Sequence, residues 1–141
     1  MARQPLNLSR QVDINTESDV AEAMRLTRAT AEAMGFTAAE YSYLATVATE
    51  LASNLLIHAG GGSFEVRVAD GSRRIELVTV DTGPGIPDIA RALQDGYSTA
   101  GGLGCGLPGV KRLMDGIDIL STPGAGTQVR AWRTKGLHAR T

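Results

Sequence analysis

The apolar positions of this chain change period four times, and those changes divide it into elements. Leu8 to Ile14 roughly alternates and predicts a first strand. From Thr16 to Met34 the pattern turns helical, with Val20, Met24, Leu26 and Met34 apolar and Gly35 as the stop. Thr37 followed by Glu40 has capping-box spacing and opens a second helix running to about His58. Within it Leu44, Val47, Ala48, Leu51 and Leu55 recur at three and four residues, so one face is expected to be core.

Beyond that helix the period drops to two. Ser63 to Ala69 sets Phe64, Val66 and Val68 against Ser63, Glu65 and Arg67, the pattern of a half-buried strand. Asp70-Gly71-Ser72 predicts a turn, and Arg74 to Val80 completes a hairpin. A loop with a helical stretch around Ile89 to Gln94 follows, and then a helix from about Pro108 to Met114. Ile117 to Ser121 and Thr127 to Trp132, joined by Pro-Gly-Ala-Gly, predict a last hairpin; Lys135 to Thr141 reads as a frayed tail. This order predicts an α+β fold, a two-layer sandwich with helices on one face of the sheet.

Length and composition narrow the picture. The 141 residues suit one domain spanning 1–141, and 43% hydrophobic with 21% charged residues is an ordinary globular balance. A net charge of −1 argues against a nucleic-acid partner. One cysteine excludes an internal disulfide, and His58 and His138 show no ligand spacing. No apolar stretch approaches membrane-spanning length and Met1 to Arg10 lacks a signal-peptide block, so a cytoplasmic protein without membrane contact is expected.

Three motifs could carry chemistry. Glu50-x-x-x-Asn54 puts a carboxylate and a carboxamide on one helical face, where they could hold a hard cation and activate a hydroxyl. Taken alone, the pair reads first as a solvated polar stripe, and His58, one four-residue step on, as a helix-end histidine. Asp81-Thr82-Gly83-Pro84-Gly85 follows an apolar strand; its aspartate could accept from an exocyclic amine, or the segment could be an ordinary acidic turn. Gly101 to Gly109 is glycine-rich and runs into a helix, so its N–H groups and the helix end favour a polyphosphate. Pro108 suits that first helical turn.

Two standard phosphate loops are excluded. Gly104-x-Gly106-x-x-Gly109 matches the dinucleotide fingerprint, yet no strand precedes it. Nor is a P-loop present, because Lys111 is followed by Arg112 and not by Ser or Thr.

In sequence order, Glu50-Leu-Ala-Ser-Asn54, Asp81-Thr-Gly-Pro-Gly85, Gly102-Leu-Gly-Cys-Gly106 and Gly126-Thr127 resemble the N, G1, G2 and G3 boxes of the GHKL ATPases. The resemblance implies a Bergerat (histidine-kinase-like ATPase) fold with a mixed, mostly antiparallel sheet. The stretch from Asp95-Gly-Tyr-Ser-Thr to Asp115 is similar to the small bacterial serine/threonine kinases of the stressosome, the RsbT-type switch kinases. His58 is similar instead to the sister branch of RsbW-type anti-sigma-factor kinases.

The resemblance also implies roles. Asp81 would bind the adenine amino group of ATP, assisted by Thr127 through water, and Gly83 and Gly85 would allow close approach to the base. Asn54 would ligate Mg2+, Glu50 would orient or deprotonate the attacking hydroxyl, and Gly102, Leu103, Gly104, Cys105 and Gly106 would wrap the phosphates. Residues 86–100 would act as a lid. Implied partners are STAS-domain antagonists (RsbS/RsbR-like), a PP2C-type phosphatase and, on the alternative anti-sigma reading, a sigma factor.

Overall fold

The computed structural model describes residues 9–83, 106–122 and 124–136. Their elements run in the order β1 (Ser9–Ile14), α1 (Glu17–Met34), α2 (Ala38–Ala59), β2 (Gly62–Ala69), β3 (Arg74–Asp81), α3 (Gly106–Leu113), β4 (Gly116–Thr122) and β5 (Gly126–Thr134). The strand, helix and hairpin expectations within these residues hold, with ends moved by one or two positions. The helical stretch expected at Ile89 to Gln94 lies outside the described residues.

Local chemistry sets the helix ends. At the start of α1, Thr16 Oγ1 accepts from the Asp19 N–H, while Asp19 Oδ2 accepts from the N–H groups of Asn15 (2.8 Å) and Thr16 (3.0 Å). Thr37 and Glu40 form the reciprocal capping box that their spacing predicts for α2. Each such cap is worth about 1 kcal/mol. Gly35 and Gly60 end the two helices in the left-handed region at φ 95° and 76°.

The sheet has five strands in the order β1-β2-β3-β5-β4. All four pairings are antiparallel, so the parallel component that a mixed sheet allows has no counterpart among the described residues. Tight hairpins β2–β3 and β4–β5 enforce antiparallel neighbours directly.

One face of this sheet meets the helices. Val12 and Ile14, Phe64, Val66 and Val68, Ile75 and Leu77, and Val129 and Ala131 are all buried there. Leu44, Val47, Ala48, Leu51 and Leu55 of α2 pack into the same apolar cluster, as do Leu107, Val110 and Met114 around α3. Fully burying each large side chain of this kind is worth about 1.5–3 kcal/mol.

In α1 the buried stripe is Val20, Ala23, Thr27, Ala31 and Met34. Met24 and Leu26, apolar positions of the helical pattern, are half-buried. Small residues face inward because α1 packs against α2, and Thr27 satisfies its buried hydroxyl on the Ala23 carbonyl at 2.9 Å.

The other sheet face carries an ionic ladder. Arg130 pairs with Asp118 at 2.8 Å and Glu76 at 3.3 Å, and its guanidinium lies 4.5 Å from the centre of the Trp132 ring.

Two ties hold α3 and the residues just after β5. Arg133, buried under the helices, donates to the Leu113 carbonyl at 2.7 Å and to Glu40 Oε2 at 3.4 Å. Lys135, expected to begin a frayed tail, is held instead. Its backbone N–H donates to the Arg73 carbonyl at 2.6 Å and its Nζ to the Met34 carbonyl at 2.5 Å, so it caps the C-terminus of α1.

Candidate functional site

Along the helix-facing side, the rows of the sheet change character at one end. Phe64, Thr79, Val129 and Ile119 stand side by side in register and are apolar but for one threonine. The next row outward places Asp81 opposite Thr127 and Thr127 opposite Ser121. The core therefore ends in a line of three polar side chains, each half-buried.

Asp81 is the last residue of β3. One of its oxygens, Oδ1, accepts from the Gly83 N–H at 2.8 Å, an Asx-type turn that fixes the plane of the carboxylate. Oδ2 is then directed by the turn and can accept from a ligand amine.

Glycines bring the backbone of this turn close to its neighbours. A Cβ on Gly83 would lie 2.7 Å from the Cβ of Ala59, so the turn packs directly on the last residue of α2. A Cβ on Gly126 would lie 2.1 Å from the Asp81 carbonyl oxygen, and Gly126 also has φ +112°, so only glycine fits where β5 begins. Gly62 is as constrained: a Cβ there would meet the Val80 carbonyl at 2.5 Å and Leu55 at 2.9 Å.

Glu50 and Asn54 sit on α2, the helix whose end touches the Asp81 turn. Glu50 is completely buried. Asn54 is half-buried, but its Oδ1 is sealed from solvent with no hydrogen-bond partner among the described residues. An orphaned carbonyl oxygen costs about 1–3 kcal/mol, and coordination of a hard divalent cation would remove that cost. No group of three or more acidic, histidine or cysteine side chains among the described residues could hold a metal alone. A cation here would need ligands from elsewhere, as magnesium commonly takes from phosphates and water.

Of the residues singled out in the sequence, Asp81, Gly83 and Thr127 meet at the sheet end, while Asn54 and Glu50 lie on α2, whose last residue packs against Gly83. Gly106 opens α3. Gly85, Gly102, Leu103, Gly104 and Cys105, with the lid expected over residues 86–100, lie outside the described residues. His58 is exposed in the last turn of α2.

Ser121 was not singled out. Its Oγ lies 3.0 Å from Thr127 Oγ1 and 3.4 Å from the Gly126 carbonyl. A lone serine in an alternating strand has no signal of its own; only the β4–β5 register puts it in the row.

Residues 15–132 match the histidine kinase-like ATPase domain. The chain belongs to that family. The serine/threonine-protein kinase RsbT of Bacillus subtilis (strain 168) is 44% identical over 122 residues, which cover 85% of this chain and 92% of that protein. An anti-sigma F factor of Caldanaerobacter subterraneus subsp. tengcongensis is 31% identical over 97 residues, 64% of this chain and 68% of the relative.

Solved structures agree on the fold. SiaB-SiaC from Pseudomonas aeruginosa superposes with a TM-score of 0.56 at 12% identity, covering 92% of this chain and 91% of that one. The mycobacterial sensor histidine kinase MprB gives 0.50 at 20% identity, covering 90% and 97%.

These relationships make the chain an enzyme, a protein serine/threonine kinase of an ATP-using family. No helix among the described residues is long and apolar enough to cross a membrane.

Proposed function

We propose that residues 1–141 act as one cytoplasmic kinase domain of a partner-switching pathway. It transfers the terminal phosphoryl group of ATP to a serine or threonine hydroxyl of a STAS-domain antagonist, and the kinase so released binds and activates a PP2C-type phosphatase. The observation that carries the reading is the polar row at the sheet end, where a turn-fixed carboxylate and a threonine hydroxyl stand beside the end of the Asn54 helix.

Bound ATP with Mg2+ supplies the phosphoryl group and neutralises its charge. Asp81 accepts from the base amine, Thr127 assists at the ring edge, and Gly83 and Gly85 let the backbone approach. Asn54 offers its orphaned oxygen to the cation. Glu50 orients the incoming hydroxyl and takes up its proton as the oxygen–phosphorus bond forms. Gly102, Leu103, Gly104, Cys105 and Gly106 wrap the phosphates with backbone N–H groups. Phosphoryl transfer asks a protein mainly for such positioning and charge stabilisation.

A second reading, an anti-sigma factor that phosphorylates its anti-anti-sigma STAS protein, is favoured by His58 and by the anti-sigma F relatives. Pull-down of purified sigma factor against STAS protein and phosphatase separates the two.

Label transfer from radioactive ATP to purified STAS proteins tests the kinase reading. Wild type should label one STAS protein on serine or threonine. Glu50→Gln should transfer roughly a hundredfold more slowly, the usual scale for losing a general base, while binding ADP with nearly wild-type affinity. Equal transfer by both proteins, or none by wild type across the STAS set, refutes it.

A further inference from the structure

Among the described residues the two edges of the sheet are not alike. β1 closes one side and carries the exposed charges of Arg10 and Asp13. β4 closes the other with Gly-Ile-Asp-Ile-Leu-Ser-Thr. A strand edge offers a row of N–H and C=O groups to any other strand, and proteins block it with charged side chains, proline or a bulge. β4 is poorly blocked. Its register with β5 runs from Gly116 to Thr122 without a bulge, and its one charged residue, Asp118, is paired with Arg130 at 2.8 Å. Leu120 is the most exposed large hydrophobic side chain among the described residues, at 70%. On the helix side Ile117 and Ile119 are only half-buried.

We propose that β4 pairs antiparallel with β4 of a second copy of this chain, across a two-fold axis at Leu120, so that two sheets join into one. In that register the strand is self-complementary. Leu120 meets Leu120 of the second copy on the open face, each Asp118 meets a Thr122 hydroxyl that can donate to it, and each Ile119 meets a Ser121 on the helix side. The side-chain alternation keeps both helical layers on the same side of the joined sheet. Other centres fit worse. An axis at Asp118 would set the two carboxylates face to face, and an axis at Ile119 would set each carboxylate against a Leu120. The charged β1 edge offers no second seam of this kind, so the pairing closes as a dimer. A seam of one short strand from each copy buries little surface, and the association is correspondingly weak and concentration-dependent.

Analytical ultracentrifugation of the full chain over a range of concentrations tests this. The mean mass should rise from one chain toward two and no further, and Leu120→Lys, which blocks the edge, should hold it at one chain. Thr122→Lys should tighten association roughly three- to tenfold by setting an opposite charge against each Asp118, and Thr122→Asp should loosen it by a similar factor. Cysteine cross-linking reads the register directly in a Cys105→Ser background. Leu120→Cys should link two chains by a disulfide, because directly opposed residues lie about 4.5–5.5 Å apart. Asp118→Cys should not, because its two copies would stand about 13 Å apart along the seam.

A wild-type mass that stays at one chain overturns the proposal, and so does growth beyond two chains. Thr122→Lys and Thr122→Asp moving association in the same direction would mean that Leu120 adheres without register, which also overturns it. Equal cross-linking at positions 118 and 120 has the same consequence.

Discussion

Asp81→Asn separates the two tasks of the aspartate. One oxygen serves the protein by accepting from the Gly83 N–H at 2.8 Å, and the other would serve the ligand. Asparagine keeps a carbonyl oxygen for Gly83, so the turn and its packing on Ala59 should persist. The second position changes from a charged acceptor to an amide donor, which would face the donor amine of adenine. Losing one charge-assisted hydrogen bond costs about 1.5–3 kcal/mol. That is roughly ten- to a hundredfold in affinity.

The assay is calorimetric titration with ADP, beside urea denaturation of the same preparations. The expected result is weakened binding with little change in stability. Unchanged ADP affinity would refute the assignment of Asp81 to the base. A large loss of stability would refute the claim that the turn needs only a carbonyl oxygen.

The close approach at the start of β5 can be tested against a neighbouring glycine. Gly126→Ala forces a Cβ to within 2.1 Å of the Asp81 carbonyl at φ +112°, whereas Gly124 has φ +81° and nothing within 4 Å. Gly126→Ala should destabilise by about 2–4 kcal/mol in urea denaturation and Gly124→Ala by only about 1 kcal/mol; equal effects would contradict the packing. Acid should also act through Glu40. Burial opposes its ionisation, but the Thr37 N–H and hydroxyl and the Arg133 guanidinium outweigh that and hold its carboxyl below the ordinary value of 4.5. A depressed carboxylate stabilises fully above its unfolded pKa and loses that contribution as pH falls through the folded one. Stability should therefore drop below about pH 4.5, and Glu40→Gln should make that drop shallower; an unchanged slope would remove Glu40 as a cause.

Much of the fold was legible in the sequence because its signals are local. Thr37 and Glu40 lie three residues apart and cap α2 as expected, and Leu44, Val47, Ala48, Leu51 and Leu55 are all buried. The α1 stripe was only partly visible in the sequence, because that helix was recognised from the large apolar residues Val20, Met24, Leu26 and Met34. Ala23, Thr27 and Ala31 carry the contact instead, since close helix packing favours small residues and an intrahelical bond neutralises the Thr27 hydroxyl. Lys135 was read as tail because its partner, the Met34 carbonyl, lies 101 residues away and no local pattern encodes it. Asp81 and Thr127 stood out only as members of an ordered set of motifs. Ser121 belongs to no motif and enters through strand register alone.

The same register that fills the core generates the polar row, which constrains how this site can vary. Along the helix-facing side of β3, Ile75, Leu77 and Thr79 lead outward to Asp81, and along β5, Arg133, Ala131 and Val129 lead to Thr127. A one-residue slip of β5 against β3 would turn Val129 and Ala131 to the open face and carry Thr127 with them, so the core resists any loss of the Asp81–Thr127 pairing. The glycines enforce that alignment from the ends, Gly126 by its contact with the Asp81 carbonyl and Gly62 by its contact with Val80 and Leu55. The polar row is thus as rigid as the sheet. On the proposed assignment, nucleotide preference should change through substitutions within the row, at Asp81 or Thr127, far more readily than through changes in the core beneath it.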